Sequence, residues 1–155
     1  MNGDKKIIDC LNALLTHELT AVDLYVVQAR MLANWGFTAL QDRLAHEADD
    51  EREHANRLMH RILFLGGQPD VASRAELKVG NNPAEILAYD LQYEIEVGRA
   101  LNEGIALCCR KGDNGTRALL EQLLRDTEDD HIFWLQQQLS LIEKVGLKKY
   151  LSEQL

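Results

Sequence analysis

The sequence predicts an all-α protein: four long helices packed as a bundle, one long crossover between the second and third, and a short fifth helix at the C-terminus. Three observations carry this. The chain is rich in Leu, Ala, Glu and Gln and poor in β-branched residues, which favours helix. Its only two prolines, Pro69 and Pro83, bracket "PDVASRAELKVGNNP", the one long segment without a clean helical period. Elsewhere, apolar residues recur at three-to-four spacing over long runs.

Punctuation sets the elements. The first helix is predicted from about Lys5 to Asn34, where "NWG" breaks it. The second starts near Thr38 and ends at Gly66–Gly67. After the crossover, "NNPAE" reads as an N-cap with proline in the first turn, so the third helix runs from Pro83 to about Arg110. "KGDNG" is a short turn. The fourth helix runs from Thr116 to about Lys144, Gly146 stops it, and "LKKYLSEQL" is the short fifth. A helix of about 28 residues spans roughly 42 Å. Helices of that length must support one another side by side, and two short turns flanking one long link give a bundle with a single crossover. The 155 residues fit one domain, 1–155.

Composition removes several functions. The formal net charge is -8 with no basic tail, which argues against a nucleic-acid partner and suits metal cations. Three cysteines with no C-x-x-C pair are not a disulfide scaffold. No 18-residue apolar run crosses a membrane, and the N-terminus lacks an apolar signal core. A cytoplasmic location is expected.

The chemistry lies in the stripes. The first helix reads Leu11, Leu15, Glu18, Val22, Tyr25; the second Leu44, Ala48, Glu51, Ala55, Leu58; the third Leu87, Leu91, Glu94, Gly98, Leu101; the fourth Leu120, Leu124, Glu128, His131, Leu135. A glutamate interrupts each one. A single buried carboxylate is costly, and four at one depth repel one another unless multivalent cations join them. Glu51–His54 and Glu128–His131 are both spaced i, i+3, so each pair can face one centre. The separations repeat: 77 residues from Glu51 to Glu128 and from His54 to His131, and 76 from Glu18 to Glu94. Four carboxylates and two imidazoles are the ligand set of a carboxylate-bridged two-metal site in a four-helix bundle. Oxygen ligands with imidazole suit iron or manganese, with zinc as a competitor. Gln92, Asp90 and Asp126 are candidates for the groups behind the ligands, whereas Asp129 and Asp130 read as a solvated face or a funnel for cations.

The segments "LNALLTHELTAVDLYVVQARMLANWG", "HEADDEREHANRLMHRILFLGGQP", "LAYDLQYEIEVGRALNEGI" and "LLRDTEDDHIFWLQQQLSLIEKVGLKKYL" resemble the four helices and tail of the bacterioferritins, in the ferritin-like superfamily. The resemblance covers nearly the whole chain. It implies ferroxidase ligands Glu18, Glu51, His54, Glu94, Glu128 and His131, with Glu51 and Glu128 as bridges, and two iron ions per subunit. It implies a homo-oligomeric shell of twenty-four subunits that oxidises Fe(II) with O₂ or hydrogen peroxide and stores Fe(III) mineral, with a ferredoxin-type protein as reductant. Tyr25 matches a tyrosine near the diiron site, an electron donor in that reading and a bundle filler in the plainer one. His46 and Asp50 match residues that hold an extra iron on the inner surface, or else form a solvated face. Trp35 and Trp134 also match family positions and read as packing residues.

The family's haem ligand is a methionine directly after the second-helix glutamate. Here that residue is Arg52, which cannot act as an axial ligand, so this chain is not expected to coordinate haem. The resemblance leaves open a non-haem shell or one mixed with a haem-binding bacterioferritin subunit. One extra residue relative to the family falls between the third and fourth helices and is expected to lengthen a turn. A rubrerythrin-like diiron peroxidase would need an electron-transfer module, and no Cys-rich segment is present. A DNA-protecting mini-ferritin builds its site between subunits and lacks the tail helix. A catalytically silent shell subunit would not keep six ligands.

Overall fold

The computed structural model describes residues 1–155, and every ordered element in it is helical. Helix α1 spans Lys5–Trp35, α2 Thr38–Phe64 and α3 Pro83–Lys111. The fourth rod has three parts: α4 (Asn114–Asp126), a π-helical segment (Thr127–Ile132) and α5 (Phe133–Val145). Helix α6, Leu147–Ser152, follows. None is long and apolar enough to cross a membrane.

The ends form where local chemistry demands. The Asp4 carboxylate accepts from the Lys6 and Ile7 amides and starts α1; Gly36, at φ 88°, closes it in the left-handed region that glycine tolerates. Asn82 accepts from the Glu85 amide, Pro83 follows, and Glu85 reaches back to the Asn81 amide at 2.9 Å. The crossover, residues 65–82, is bound to α1. Asn12 accepts from the Asp70 amide at 2.8 Å, Thr20 from the Ala75 amide at 2.9 Å, and Gln28 donates to the Val79 carbonyl at 2.9 Å. The tail returns to the bundle through the buried Tyr150, whose hydroxyl donates to Gln138 at 2.7 Å, and through the Ala39 amide bonded to the Gln154 carbonyl at 3.0 Å.

The core divides into two apolar clusters. One gathers Leu11, Leu15, Leu58, Leu101 and Leu123; the other Ala21, Tyr25, Leu44, Leu87 and Leu135. On every rod the gap between them carries polar residues: Glu18 on α1, Glu51 and His54 on α2, Glu94 on α3, Thr127 and His131 on the fourth. A polar layer thus crosses the bundle at one depth.

The fourth rod departs from expectation. Where an unbroken α-helix is expected, the rod takes up one residue more than regular α geometry in its π-helical segment. The Phe133 amide bonds the Glu128 carbonyl five residues back. Single π-turns of this kind commonly mark functional sites. The inward stripe becomes Leu120, Leu123, Thr127, His131, Leu135, all buried. Thr127 takes the inward position assigned to Glu128, and its hydroxyl donates to the Leu123 carbonyl at 2.9 Å. Glu128 lies one residue off the stripe and is exposed.

Candidate metal centre

Three groups of ligand atoms fall within 4.8 Å of one another, and two are fully buried. The first is Glu18, Glu51 and His54; the second is Glu51, Glu94 and His131. Glu51 belongs to both. His54 Nδ1 stands 3.3 Å from Glu18 Oε2 and 3.6 Å from Glu51 Oε2. His131 Nδ1 stands 2.9 Å from Glu51 Oε1 and 3.3 Å from Glu94 Oε1. The two imidazoles lie nearly parallel, 17° apart, with centroids separated by 6.1 Å. Two positions, one imidazole each, with a carboxylate between them supply five of the six groups of a carboxylate-bridged metal pair in a four-helix bundle; the fourth carboxylate is not among them.

The donor atoms are poorly satisfied by the protein alone. Both Glu18 oxygens, Glu51 Oε1, Glu94 Oε2 and His54 Nδ1 are buried without a hydrogen bond. Buried polar groups are almost always paired, so this cluster needs a further partner, and divalent cations fit it.

The charges interlock. Burial would raise the Glu51 carboxyl, but the close His131 and His54 rings outweigh it and hold it at about 2. Glu94 is pushed up to about 7 by burial and then by the Glu51 charge, against hydrogen bonds from His131 and Tyr25. Burial opposes protonation of both histidines, yet both are raised: His54 mainly by Glu51, and His131 strongly by Asp50, Glu47, Glu51 and Glu94. The histidines and carboxylates therefore favour one another's charged forms, and a cation would compete with the histidine protons for the same atoms.

The surroundings sort the remaining candidates. Tyr25 is buried, and its hydroxyl donates to Glu94 Oε1. Burial, with the charges of Glu94 and Asp90, raises that hydroxyl well above its usual range. Asp90 is fully buried, and burial pushes its carboxyl well above the usual range. Asp126 Oδ2 lies 3.3 Å from His54 Nε2, behind the ligand. Gln92 is not near the centre; it is exposed and lines an outer groove with Tyr89 and Glu96. Glu128 is likewise outside: it lies on the surface beside Arg125 and Asp129. The fourth rod therefore places one candidate ligand inward, His131. The π segment is the reason, because it sets the inward positions Thr127 and His131 four apart, where the pair Glu128 and His131 is three apart.

His46 and Asp50 line a wholly polar pocket of about 240 Å³ with Glu53, His54, Arg57, Asp126 and Asp130, and this pocket opens onto His54. His46 is 3.4 Å from Asp50. Asp50 also stands 3.4 Å from His131 Nε2. Trp35 and Trp134 pack on the second apolar cluster, and Arg43 lies 4.5 Å over the Trp134 ring. Arg52 is a surface residue paired with Asp49 at 2.8 Å.

Two residues escaped the sequence reading. Glu47 is buried, with Oε2 2.5 Å from His131 Nε2 and Oε1 2.6 Å from Arg43 Nε. Arg43 continues to the Asp130 carboxylate at 3.0 Å. The signal for Glu47 was its place three after Leu44 and four before Glu51, on the inward face. The signal for the π segment was the separation of 77 between the histidine pairs against 76 for the lone glutamates.

A family model for the ferritin-like domain matches residues 8–145. The chain belongs to the ferritin family. Curated relatives agree across the full length of this ferritin-family chain. It is 46% identical to a protein named bacterial ferritin from Neisseria meningitidis serogroup B, covering 100% of both chains. It is 44% identical to a bacterial ferritin from a Synechocystis species, over 100% of this chain and 99% of that protein. A bacterioferritin from Mycolicibacterium paratuberculosis is 39% identical, over 97% of this chain and 94% of its own.

Proposed function

We propose that this ferritin-family chain is a ferroxidase that stores iron: it takes up Fe(II) at two adjoining positions within one subunit and releases Fe(III) to a mineral held inside an oligomeric shell. The observation that carries this reading is the pair of buried ligand groups sharing Glu51. Full-length similarity to proteins named bacterial ferritin and bacterioferritin supports storage as the purpose.

Iron is the substrate, and it supplies the one-electron change between Fe(II) and Fe(III), with O₂ or hydrogen peroxide as oxidant. The chain supplies position and charge. Glu18 and His54 hold one side, Glu94 and His131 the other, and Glu51 spans them. Tyr25 keeps Glu94 Oε1 engaged by a hydrogen bond and is a candidate electron donor. The polar pocket at His46, Asp50 and Asp126 offers Fe(II) a path from solvent to His54.

Assembly into a shell of twenty-four copies is part of the proposal. Apolar side chains left exposed on the isolated subunit, among them Val26, Val27, Phe64, Phe133 and Leu141, support it. The three free cysteines fit a reducing cytoplasm. Because Arg52 stands at the family's haem-ligand position, the chain supplies no haem ligand there, and a shell mixed with a haem-binding subunit is one form of the same function.

Stopped-flow oxidation of Fe(II) tests the reading. Glu51→Ala and His131→Ala should slow oxidation by about two orders of magnitude or more while helical content holds. Wild-type rates in both variants would sink it.

A further inference from the structure

The family resemblance pairs Glu128 with His131, yet the structure pairs Thr127 with His131 on the inward face and leaves Glu128 in solvent. Something else must fix the imidazole. On its outer side, Nε2 faces Glu47 Oε2 at 2.5 Å and Asp50 Oδ2 at 3.4 Å. On its inner side, Nδ1 faces Glu51 and Glu94. A neutral imidazole has one lone pair, so only one of these sides can bind a cation. The outer side already has its partners: Asp50 is in hydrogen-bond reach of Nε2, and the buried Glu47 forms a close ion pair with it. Glu47 is 2% exposed and held by Arg43, which is itself stacked on Trp134 and bonded to the carbonyl of Asp130 at 3.2 Å.

We propose that Glu47 is the positioning residue for His131: it retains the Nε2 proton, so that the Nδ1 lone pair is presented between Glu51 and Glu94, and it does so in a site to which Glu128 contributes nothing. Arg43 keeps Glu47 in place and ties α2 to the π segment, which sets how deep His131 sits. A carboxylate behind a metal-bound histidine fixes ring orientation and tautomer and raises ligand basicity. The inference rests on the two-position reading above.

The test uses the assembled protein and Co(II), followed through its visible absorption. The wild type should take up two Co(II) per subunit; fewer would count against the two-position reading itself. Given two, Glu47→Ala should weaken one of them by roughly 10- to 100-fold and leave the other unchanged, since outer partners of metal-bound histidines carry effects of that size. Glu47→Gln, which keeps an acceptor without its charge, should lose less. Glu128→Ala, a surface change, should leave both positions at wild-type affinity. Loss of a Co(II) position in Glu128→Ala overturns the proposal whatever Glu47→Ala does, as do two undisturbed positions in Glu47→Ala. Helical content and shell size in each variant separate misfolding from loss of a ligand.

Discussion

Glu51 and Glu94 are both fully buried and both within reach of His131, yet their carboxyls are driven in opposite directions, to about 2 and about 7. Two imidazoles serve Glu51; Glu94 has one imidazole and the Tyr25 hydroxyl, which do not offset burial and the charge of Glu51. The signs have separate consequences for the metal-free chain. Glu51 is lowered, so its stabilisation is present above the ordinary carboxyl value of 4.5 and disappears as pH falls toward 2. Glu94 is raised, so the folded state binds the extra proton, and stability declines as pH rises from 4.5 toward 7. Glu94→Gln should therefore stabilise the metal-free protein at pH 7.5 and flatten its pH dependence between those limits, while abolishing one metal position. Thermal unfolding at several pH values checks the first effect and Co(II) titration the second. Arg52 allows another prediction at this scale. Its side chain is 59% exposed, so Arg52→Met should leave folding within about 0.5 kcal/mol. A Soret band after haem addition is expected in that variant and not in the wild type; an equal band in both would contradict the reading of Arg52.

At the scale of an element, the fourth rod differs most from its pattern. Apolar spacing and the i, i+3 pair described an unbroken α-helix, and the π segment changes the face of every residue within it. Deleting Thr127 should let the rod close as an α-helix and carry Glu128 to the inward face. In that background, Glu128→Ala should weaken Co(II) binding, whereas in the parent chain it should not. The third helix offers a simpler contrast. A Cβ on Gly98 would meet nothing closer than 3.8 Å, so Gly98→Ala should stabilise by about 0.5–1 kcal/mol. A Cβ on Gly104 would meet Leu120 Cδ1 at 3.0 Å and Cys10 Sγ at 3.1 Å, so Gly104→Ala should instead cost about 1–3 kcal/mol. Denaturant midpoints of the two variants should move in opposite directions.

For the whole molecule, a layer of buried, charged and partly unsatisfied groups between two apolar clusters weakens the metal-free bundle, so cations bound there would add to its stability. Divalent metal should raise the melting temperature, and more at pH 7.5 than at 5.5, because at the lower pH it must displace a proton from Glu94, one of the groups that would hold it. Scanning calorimetry with and without Co(II) measures this. An equal rise at both values would mean that Glu94 does not bind the metal.

What the sequence determined by itself was the set of helices, their ends within a few residues, and four of the inward residues most exposed to pattern reading: Glu18, Glu51, His54 and Glu94. Helical periodicity and caps are local, set by neighbours three to four residues away, and those four sit on unbroken α-helices. His131 was legible as well, from its place in the stripe before Leu135 and its separation of 77 from His54, although the Glu128 it was paired with faces outward. The facing of Glu128 was decided by tertiary structure. Whether one added residue widens a turn or is absorbed inside a rod depends on packing at both ends of that rod, here Leu120 and Leu123 in one cluster and Leu135 in the other. Glu47 depended on tertiary structure for the same reason: its partner His131 lies on a distant segment of chain, and only the assembled bundle brings the two to 2.5 Å.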